Sequence, residues 1–425
     1  MSAIFTGILA LIVTAILVAV ARRIAPAIGL VDVPDERKAH NGNIPLVGGI
    51  AIFTGLLITM VVDGFLAEHW PFFAAASFLV VVGAWDDANG LSPIVRIVIQ
   101  AAAVLFLAVA GDVYIADLGS ILPVLGTVSL DWMAIPFTVF AGVGIINAFN
   151  MSDGVDGLCG TLALVSLTGL GILAGVAGRQ SELLLILALT GGLIGFLIFN
   201  VRVPGRKQAK AFLGDAGSYL LGLSVLYLAV RLSQGSDRAM TPVTALWLCM
   251  LPLVDTVGMI LRRIRRGRSP FTPDREHIHH IFLLAKFSVT STWIGLAAVA
   301  AIGMAFGVSG TLVGMPESTM LATFLIVGVL YYAMIMRAWK VMRFLSRSIN
   351  RRAEKKIDRR SGGPDRRQRE EIYFIDGVPF ERRSGQNRRQ RDRRNEADEL
   401  SESVPIFTQE QDSEDRPGKR AARLS

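Results

Sequence analysis

The sequence predicts an all-α, polytopic integral membrane protein with about eleven transmembrane helices, its N-terminus outside and its C-terminus cytoplasmic. Three observations carry this reading. Of 425 residues, 52% are hydrophobic and the mean hydropathy is +0.49, which is too apolar for a soluble chain of this length. Apolar windows long enough to cross a bilayer recur along the chain. Lys and Arg collect in alternate loops between those windows.

The first apolar segment, residues 3–21, has no basic residue before it and ends at Arg22-Arg23, the reverse of a cleavable signal peptide, although VAVA mimics a cleavage site. It reads as an uncleaved first helix. Further helices are expected at 46–62, 71–85, 94–110, 132–149, 158–177, 182–200, 212–230, 241–260, 289–312 and 318–336. Those at 46–62 and 71–85 are short for a span, and 212–230 carries a charge. With the N-terminus outside, the odd-numbered loops hold fifteen Lys and Arg and the even-numbered loops three, so the odd loops face the cytoplasm. GGLIG at Gly191–Gly195 offers a small-residue face for packing within one chain or between copies in a homo-oligomer.

Residues 1–340 form the expected membrane domain and 341–425 a basic, largely disordered cytoplasmic tail. Residues 1–336 contain 19 basic and 19 acidic side chains, so the net charge of +8 originates in the tail. An imperfect repeat, RRSGGPDRRQR and RRSGQNRRQR, flanks a short apolar island, IYFIDGVPF. Such a segment suits anionic lipid headgroups; RNA or a protein partner is the sharper alternative. Cys159 and Cys249 lie inside expected helices without CxxC spacing and read as packing residues.

Five polar clusters fall in the odd loops or at their helix edges: RKAHNGNIPLVGG, WDDANG, NAFNMSDGVDG, FLGDAGS and RRIRRGRSPFTPDREHIHH. Placed on one membrane face, they are able to form a single site. Asp86 and Asp87 in WDDANG are either two solvated loop carboxylates or a metal site or acid/base pair, since adjacent carboxylates repel unless a cation intervenes. Asn147, Asn150, Asp153 and Asp156 recur every third residue, more than an Asp-Gly turn needs, and would share one face of a helical turn. They do not match a calcium-binding EF-hand, because Val155, Gly157 and Leu164 stand where ligands would be. Asp215 sits between glycines that either permit close helix packing or let a ligand approach, and Phe212 supplies a ring on which a base would stack. Hard oxygen donors of this kind suit Mg²⁺ or Mn²⁺. Arg263 and Arg266, with their neighbours, orient the loop or bind phosphate; His277, His279 and His280 lack zinc-site spacing and extend that phosphate bed. Lys38 lies in a basic loop before a Gly-rich helix start.

In this order, these motifs resemble the polyprenyl-phosphate N-acetylhexosamine-1-phosphate transferase family over about residues 1–340. IPLVGG and GRSPFTPDREHIHH are more similar to the bacterial undecaprenyl-phosphate GlcNAc-1-phosphate transferases than to the phospho-MurNAc-pentapeptide branch. The resemblance implies an inner-membrane enzyme, its active site on the cytoplasmic face, that joins a UDP-N-acetylhexosamine to undecaprenyl phosphate and releases UMP, starting a lipid-linked surface glycopolymer. By the same resemblance, Asp215 would be the principal Mg²⁺ ligand with Asn150 supporting it. Phe212 would stack on uracil, Asp153 and Asp156 would help hold the nucleotide, His279 and His280 would contact the diphosphate, and Lys38 would lie near a substrate phosphate. Asp86 is the expected base for direct attack by the lipid phosphate; the alternative is a covalent intermediate on one member of the Asp86–Asp87 pair. A polytopic lipid or sugar transporter is the competing class, but its polar residues belong near the midplane, whereas these cluster at one face.

Overall fold

The computed structural model describes residues 3–33, 42–124, 126–203, 205–206, 208–267, 269 and 277–337, and the backbone of 372–375 and 378–381. The chain divides into two compact units, Met1–Pro364 and Asp365–Ser425. The first is a helical bundle: α1 (Ala3–Ile24), α2 (Gly48–Asp63), α3 (Trp70–Asn89), α4 (Pro93–Ala110), α5 (Ala134–Met151), α6 (Leu158–Val176), α7 (Gln180–Asn200), α8 (Gly214–Ser233), α9 (Pro242–Leu248), α10 (Met250–Arg265), α11 (Ile278–Leu284), α12 (Val289–Leu312) and α13 (Glu317–Met336). A short antiparallel pair, β1 (Val31–Asp32) and β2 (Ile44–Pro45), precedes α2.

Each expected apolar segment forms helix, but the number of spans is smaller by length and composition. Among the described residues nine helices are long and apolar enough to cross a membrane, and α9 with α10 makes a tenth if the bent pair is one span. The difference has two causes. α2 has only 16 residues, about 24 Å of helix. The segment expected at 241–260 is broken by 83° between α9 and α10. Pro252 has no N–H to give the carbonyl of Leu248, four residues earlier. Ser166 of α6 takes up that carbonyl instead, donating its hydroxyl at 2.8 Å. A break in hydrocarbon is tolerated when a neighbouring helix satisfies the released group in this way.

α8 is the central helix, almost wholly buried among α2, α3, α5 and α6. α1 is peripheral: Thr6, Ala10, Thr14 and Val18, spaced by four, face inward, while Ile4, Ile8, Ile12 and Ile16 lie exposed on the other side as a lipid-facing stripe would. The small-residue face of α7 is occupied within the chain. A Cβ at Gly191 would stand 2.0 Å from the Gly7 carbonyl oxygen and one at Gly195 2.5 Å from that of Leu11, so these glycines let α1 lie directly on α7.

Glycines from two of the sequence motifs, with Gly83 just ahead of a third, also set the heart of the bundle. A Cβ at Gly49 would meet the Gly217 nitrogen at 2.1 Å, and one at Gly83 the Ala216 Cα at 2.5 Å. Gly49→Ala should therefore push α2 from the start of α8 and lower stability by about 1–3 kcal/mol, the usual range for an overfilled core. Thermal unfolding in detergent checks this; an unchanged melting temperature would refute it.

In the second unit, the apolar island of the tail forms a hairpin, β3 (Ile372–Ile375) paired antiparallel with β4 (Val378–Glu381). The flanking basic repeats lie outside the described residues.

Candidate active site

The site is assembled at the N-terminal end of α8. Phe212 donates its N–H to Pro45 O at 2.8 Å and accepts from Gly48 N at 3.0 Å, while Leu213 O accepts from Gly49 N at 2.9 Å. These bonds fasten the FLGDAGS segment to the IPLVGG segment before either reaches a charged group. Gly214 then turns the chain at φ +74°, and a Cβ there would strike the Asp87 carboxylate at 2.4 Å, so only glycine serves.

Asp86 and Asp87, one helical step apart at the end of α3, have different surroundings. Asp86 is 3% exposed and its carboxylate is saturated. Oδ1 accepts from Leu91 N at 2.7 Å and Arg96 Nη2 at 2.8 Å; Oδ2 accepts from Tyr219 Oη at 2.9 Å and pairs with Arg96 Nε at 2.8 Å. Asp87 is only half-buried. It accepts the N–H groups of Asp215 at 2.8 Å and Ala216 at 3.4 Å, thereby capping the positive end of α8 and leaving a lone pair on each oxygen.

Asp215 lies beside that cap. Asn150, at the end of α5, donates Nδ2 to Asp215 Oδ1 at 2.6 Å and to Ser218 Oγ at 2.9 Å, and Arg96 Nη1 stands 3.6 Å from Asp215 Oδ2. In this arrangement Asn150 orients the carboxylate through its amide nitrogen rather than offering its oxygen to the same point. Asn147, three residues earlier, is turned away, donating to Gln100 Oε1 at 2.6 Å.

The turn after α5 carries the remaining acids. Asp156 Oδ2 accepts from Arg202 Nε at 2.6 Å and Ala209 N at 3.1 Å, so it straps the 201–213 segment to the turn. Buried Asn200 reinforces this by accepting from Gly157 N at 2.7 Å and donating to Ala211 O at 2.9 Å. Asp153 presents its side chain to solvent. Its charged neighbours there are Asp215, Asp87 and Asp156, all of its own sign. That mutual repulsion marks an excess of negative charge which a cation would relieve.

The histidines close the turn from the other side. His279 is 2% exposed. A Cβ on Gly154 would lie 2.1 Å from its Nε2, so the glycine of Ser-Asp-Gly gives the imidazole its place. Nε2 has no hydrogen-bond partner among the described residues. Burial, and then the neighbouring His280 and His277, push His279 down to about 3, so its ring is neutral rather than cationic at ordinary pH. Its ring lies 4.2 Å from that of His280 and stacks at 5.7 Å on that of His277. Arg263 is buried on α10, and Arg266 is exposed just beyond its end. Lys38 lies outside the described residues.

A pH prediction follows from His279. Its folded value of about 3 lies below its ordinary value of 6.5, so an opened segment binds a proton that the folded one refuses. Stability is whole above pH 6.5 and falls as pH drops from there toward 3, by at most about 1.4 kcal/mol per pH unit. Hydrogen exchange of the α11 amides, corrected for intrinsic rates, should be faster at pH 5 than at pH 7.5, and His279→Gln should remove the difference. Equal protection at both pH values in the wild-type protein would contradict it.

Among the described residues no three His, Cys, Asp or Glu side chains close into a metal cage. The donor set present, Asp215 and Asp87 with Asp153 nearby, fits the habit of Mg²⁺, which takes one or two protein carboxylates and completes its shell with water and substrate phosphate. Several participants were not singled out from the sequence. Arg96 carried a usable signal, being an ionisable group within an apolar helix. Tyr219, Asn200 and Arg202 carried none, because their roles depend on partners more than 40 residues away.

Residues 69–233, which span α3 to α8 and every carboxylate of this cluster, match the sequence family described as glycosyl transferase family 4. The chain is also similar to proteins named undecaprenyl-phosphate alpha-N-acetylglucosaminyl 1-phosphate transferase. The one from Escherichia coli K12 is 38% identical over 349 residues, covering 81% of this chain and 92% of that one. The one from Yersinia pestis is 40% identical, covering 77% and 90%, and the one from Haemophilus influenzae 36% identical, covering 79% and 94%. With likeness of this extent added to the shared motifs, the chain belongs to glycosyl transferase family 4, the polyprenyl-phosphate N-acetylhexosamine-1-phosphate transferases.

Proposed function

We propose that the protein transfers GlcNAc-1-phosphate from UDP-GlcNAc to undecaprenyl phosphate, releasing UMP and beginning a lipid-linked surface glycopolymer. The observation that carries this reading is the cluster of Asp87, Asn150, Asp153 and Asp215 at the start of the central helix, in a chain whose relatives bear that activity in their names. Both substrates are anions, and each half of the reaction needs negative charge offset.

In the proposed step, an oxygen of the lipid phosphate attacks the sugar-bearing phosphorus of the nucleotide sugar. One P–O bond forms there as the bond to UMP breaks. Asp87 is the better candidate for the base that takes a proton from the lipid phosphate, because it retains acceptor capacity, while Asp86 is fully occupied by Arg96, Tyr219 and Leu91. Asp86 then holds Arg96, whose guanidinium also stands beside Asp215. A Mg²⁺ held by Asp215, with Asn150 fixing that carboxylate and Mn²⁺ as the hard-oxygen alternative, would neutralise charge on the diphosphate. Phe212 is assigned to the uracil and Asp153 to the nucleotide. Asp156 acts through the 201–213 segment that it straps. His279 and His280, with Arg263, Arg266 and Lys38, are assigned to the phosphates, and His277, buried against Asp255, to holding the segment that carries them.

We further assign the site to the cytoplasmic face of a bacterial inner membrane, with eleven crossings that count α2 and the bent pair, an outer N-terminus and a cytoplasmic C-terminus. The support is the excess of Lys and Arg in the odd loops; among the described residues, Arg202 of one such loop is paired with Asp156 at the site. The test is UMP release by membranes supplied with undecaprenyl phosphate and a panel of UDP-sugars. Release should be greatest with UDP-GlcNAc, should stop with EDTA and should return with Mg²⁺. Failure to release UMP from any UDP-N-acetylhexosamine would overturn the proposal.

A further inference from the structure

The histidine segment is held by a carboxylate that none of the motifs contains. Asp255 lies within α10, just past the break, and is 4% exposed. Its Oδ2 is 2.9 Å from His277 Nδ1, and its Oδ1 accepts from the Ile278 N–H at 3.2 Å. Both the side chain and the backbone at the start of α11 are therefore gripped by one group. Tyr331 of α13 donates its hydroxyl to the same Oδ1. From the gripped His277 the contact runs on through its near-parallel stack with His279, 7° between planes, to the Gly154 turn. The next residue, Thr256, reaches Met151 at the end of α5, so this stretch of α10 rests against the helix that carries Asn150.

We infer that Asp255 is a positioning residue: by binding His277 it sets the HIHH segment against the Ser-Asp-Gly turn so that His279 and His280 meet the reacting phosphates. The chemistry favours orientation over simple adhesion. A carboxylate that accepts from Nδ1 leaves Nε2 as the free face of the ring, which fixes both tautomer and plane. An amide in its place is able to keep the Tyr331 and Ile278 bonds through its oxygen but presents an N–H to Nδ1 and reverses the tautomer. Adhesion alone, the joining of α10 to α13, depends on Tyr331 as much as on His277, so the two roles separate by mutation.

This inference rests on the transferase reading above, and its test has one arm that does not. In the full-length protein with UDP-GlcNAc, undecaprenyl phosphate and Mg²⁺, Asp255→Asn should lower kcat about 10- to 100-fold, the cost of a misplaced contact group. KM for UDP-GlcNAc should change less than about threefold. His277→Gln should do the same, the double variant should be no worse than the poorer single variant, and Tyr331→Phe should stay within about threefold of wild type. In the second arm, without substrate, diethylpyrocarbonate should modify His277 and His279 several-fold faster in Asp255→Asn than in wild type or Tyr331→Phe, read by mass spectrometry.

Wild-type kcat in Asp255→Asn, additive losses in the double variant, or equal losses in Tyr331→Phe would overturn the inference. If Asp255→Asn does not accumulate, Asp255→Glu, which keeps the charge but displaces it, decides by the same kcat comparison. A wild-type protein that releases no UMP would overturn the transferase reading, while the modification arm would still decide whether Asp255 holds the histidines.

Discussion

Asp215→Asn is expected to lower UMP release by about 10³-fold or more while leaving the folded protein in the membrane. The substitution keeps the shape at the start of α8, and the new amide oxygen is still able to accept from Asn150 Nδ2, 2.6 Å away. What it removes is the carboxylate facing Asp87 and Arg96, hence the proposed principal ligand for Mg²⁺ and much of the site's ability to offset phosphate charge. Losing a single preorganised charge-stabilising group costs on the order of 10²–10³ in rate, and a metal bound through few protein ligands adds to that. The measurement is UMP release by membranes with UDP-GlcNAc, undecaprenyl phosphate and Mg²⁺, normalised to protein content. Wild-type activity in this variant would remove Asp215 from the chemistry.

Asp86→Asn and Asp87→Asn are expected to fail differently. Asp86 is buried and pairs through both oxygens with Arg96. Its neutralisation leaves the guanidinium only the more distant Asp215 carboxylate, 3.6 Å away, and should lower stability by about 2–4 kcal/mol, somewhat below the range for a fully buried pair because Arg96 is partly exposed. Activity would fall with stability. Asp87→Asn keeps an acceptor for the Asp215 N–H and leaves Arg96 undisturbed, so its melting temperature should move little while UMP release drops at least about 10²-fold, as for a lost base. Melting temperature and turnover measured together on the two variants separate the roles. A stable, inactive Asp86→Asn beside an active Asp87→Asn would return the base to Asp86.

The contrast between these neighbours shows how far sequence patterns reach. Asp-Asp at the end of an apolar segment says that charge is held near a membrane surface, but the two residues are equivalent until the chain around them is folded. Only packing brings Arg96, Tyr219 and Leu91 around one carboxylate and the start of α8 against the other. The same holds for Asp153 and Asp156. Their spacing suggested a common task, yet one carboxylate faces outward and the other is tied to Arg202. Asn150 was legible as a neighbour of Asp215 only through family likeness, and which atom it turns toward Asp215 depends on Ser218, 68 residues away.

The sequence by itself determined the helical segments, their apolar character and the clusters in which polar residues gather, because hydrophobic length and charge placement act locally along the chain. The tertiary structure decided which acids are structural and which are open. It also decided why the glycines of three motifs are needed and where the ninth segment breaks. These depend on distances between backbones brought together from far-separated positions, such as Gly49 on Gly217 and Ser166 on the carbonyl released by Pro252. No local pattern encodes such distances, since they exist only once α8 is enclosed by its neighbours.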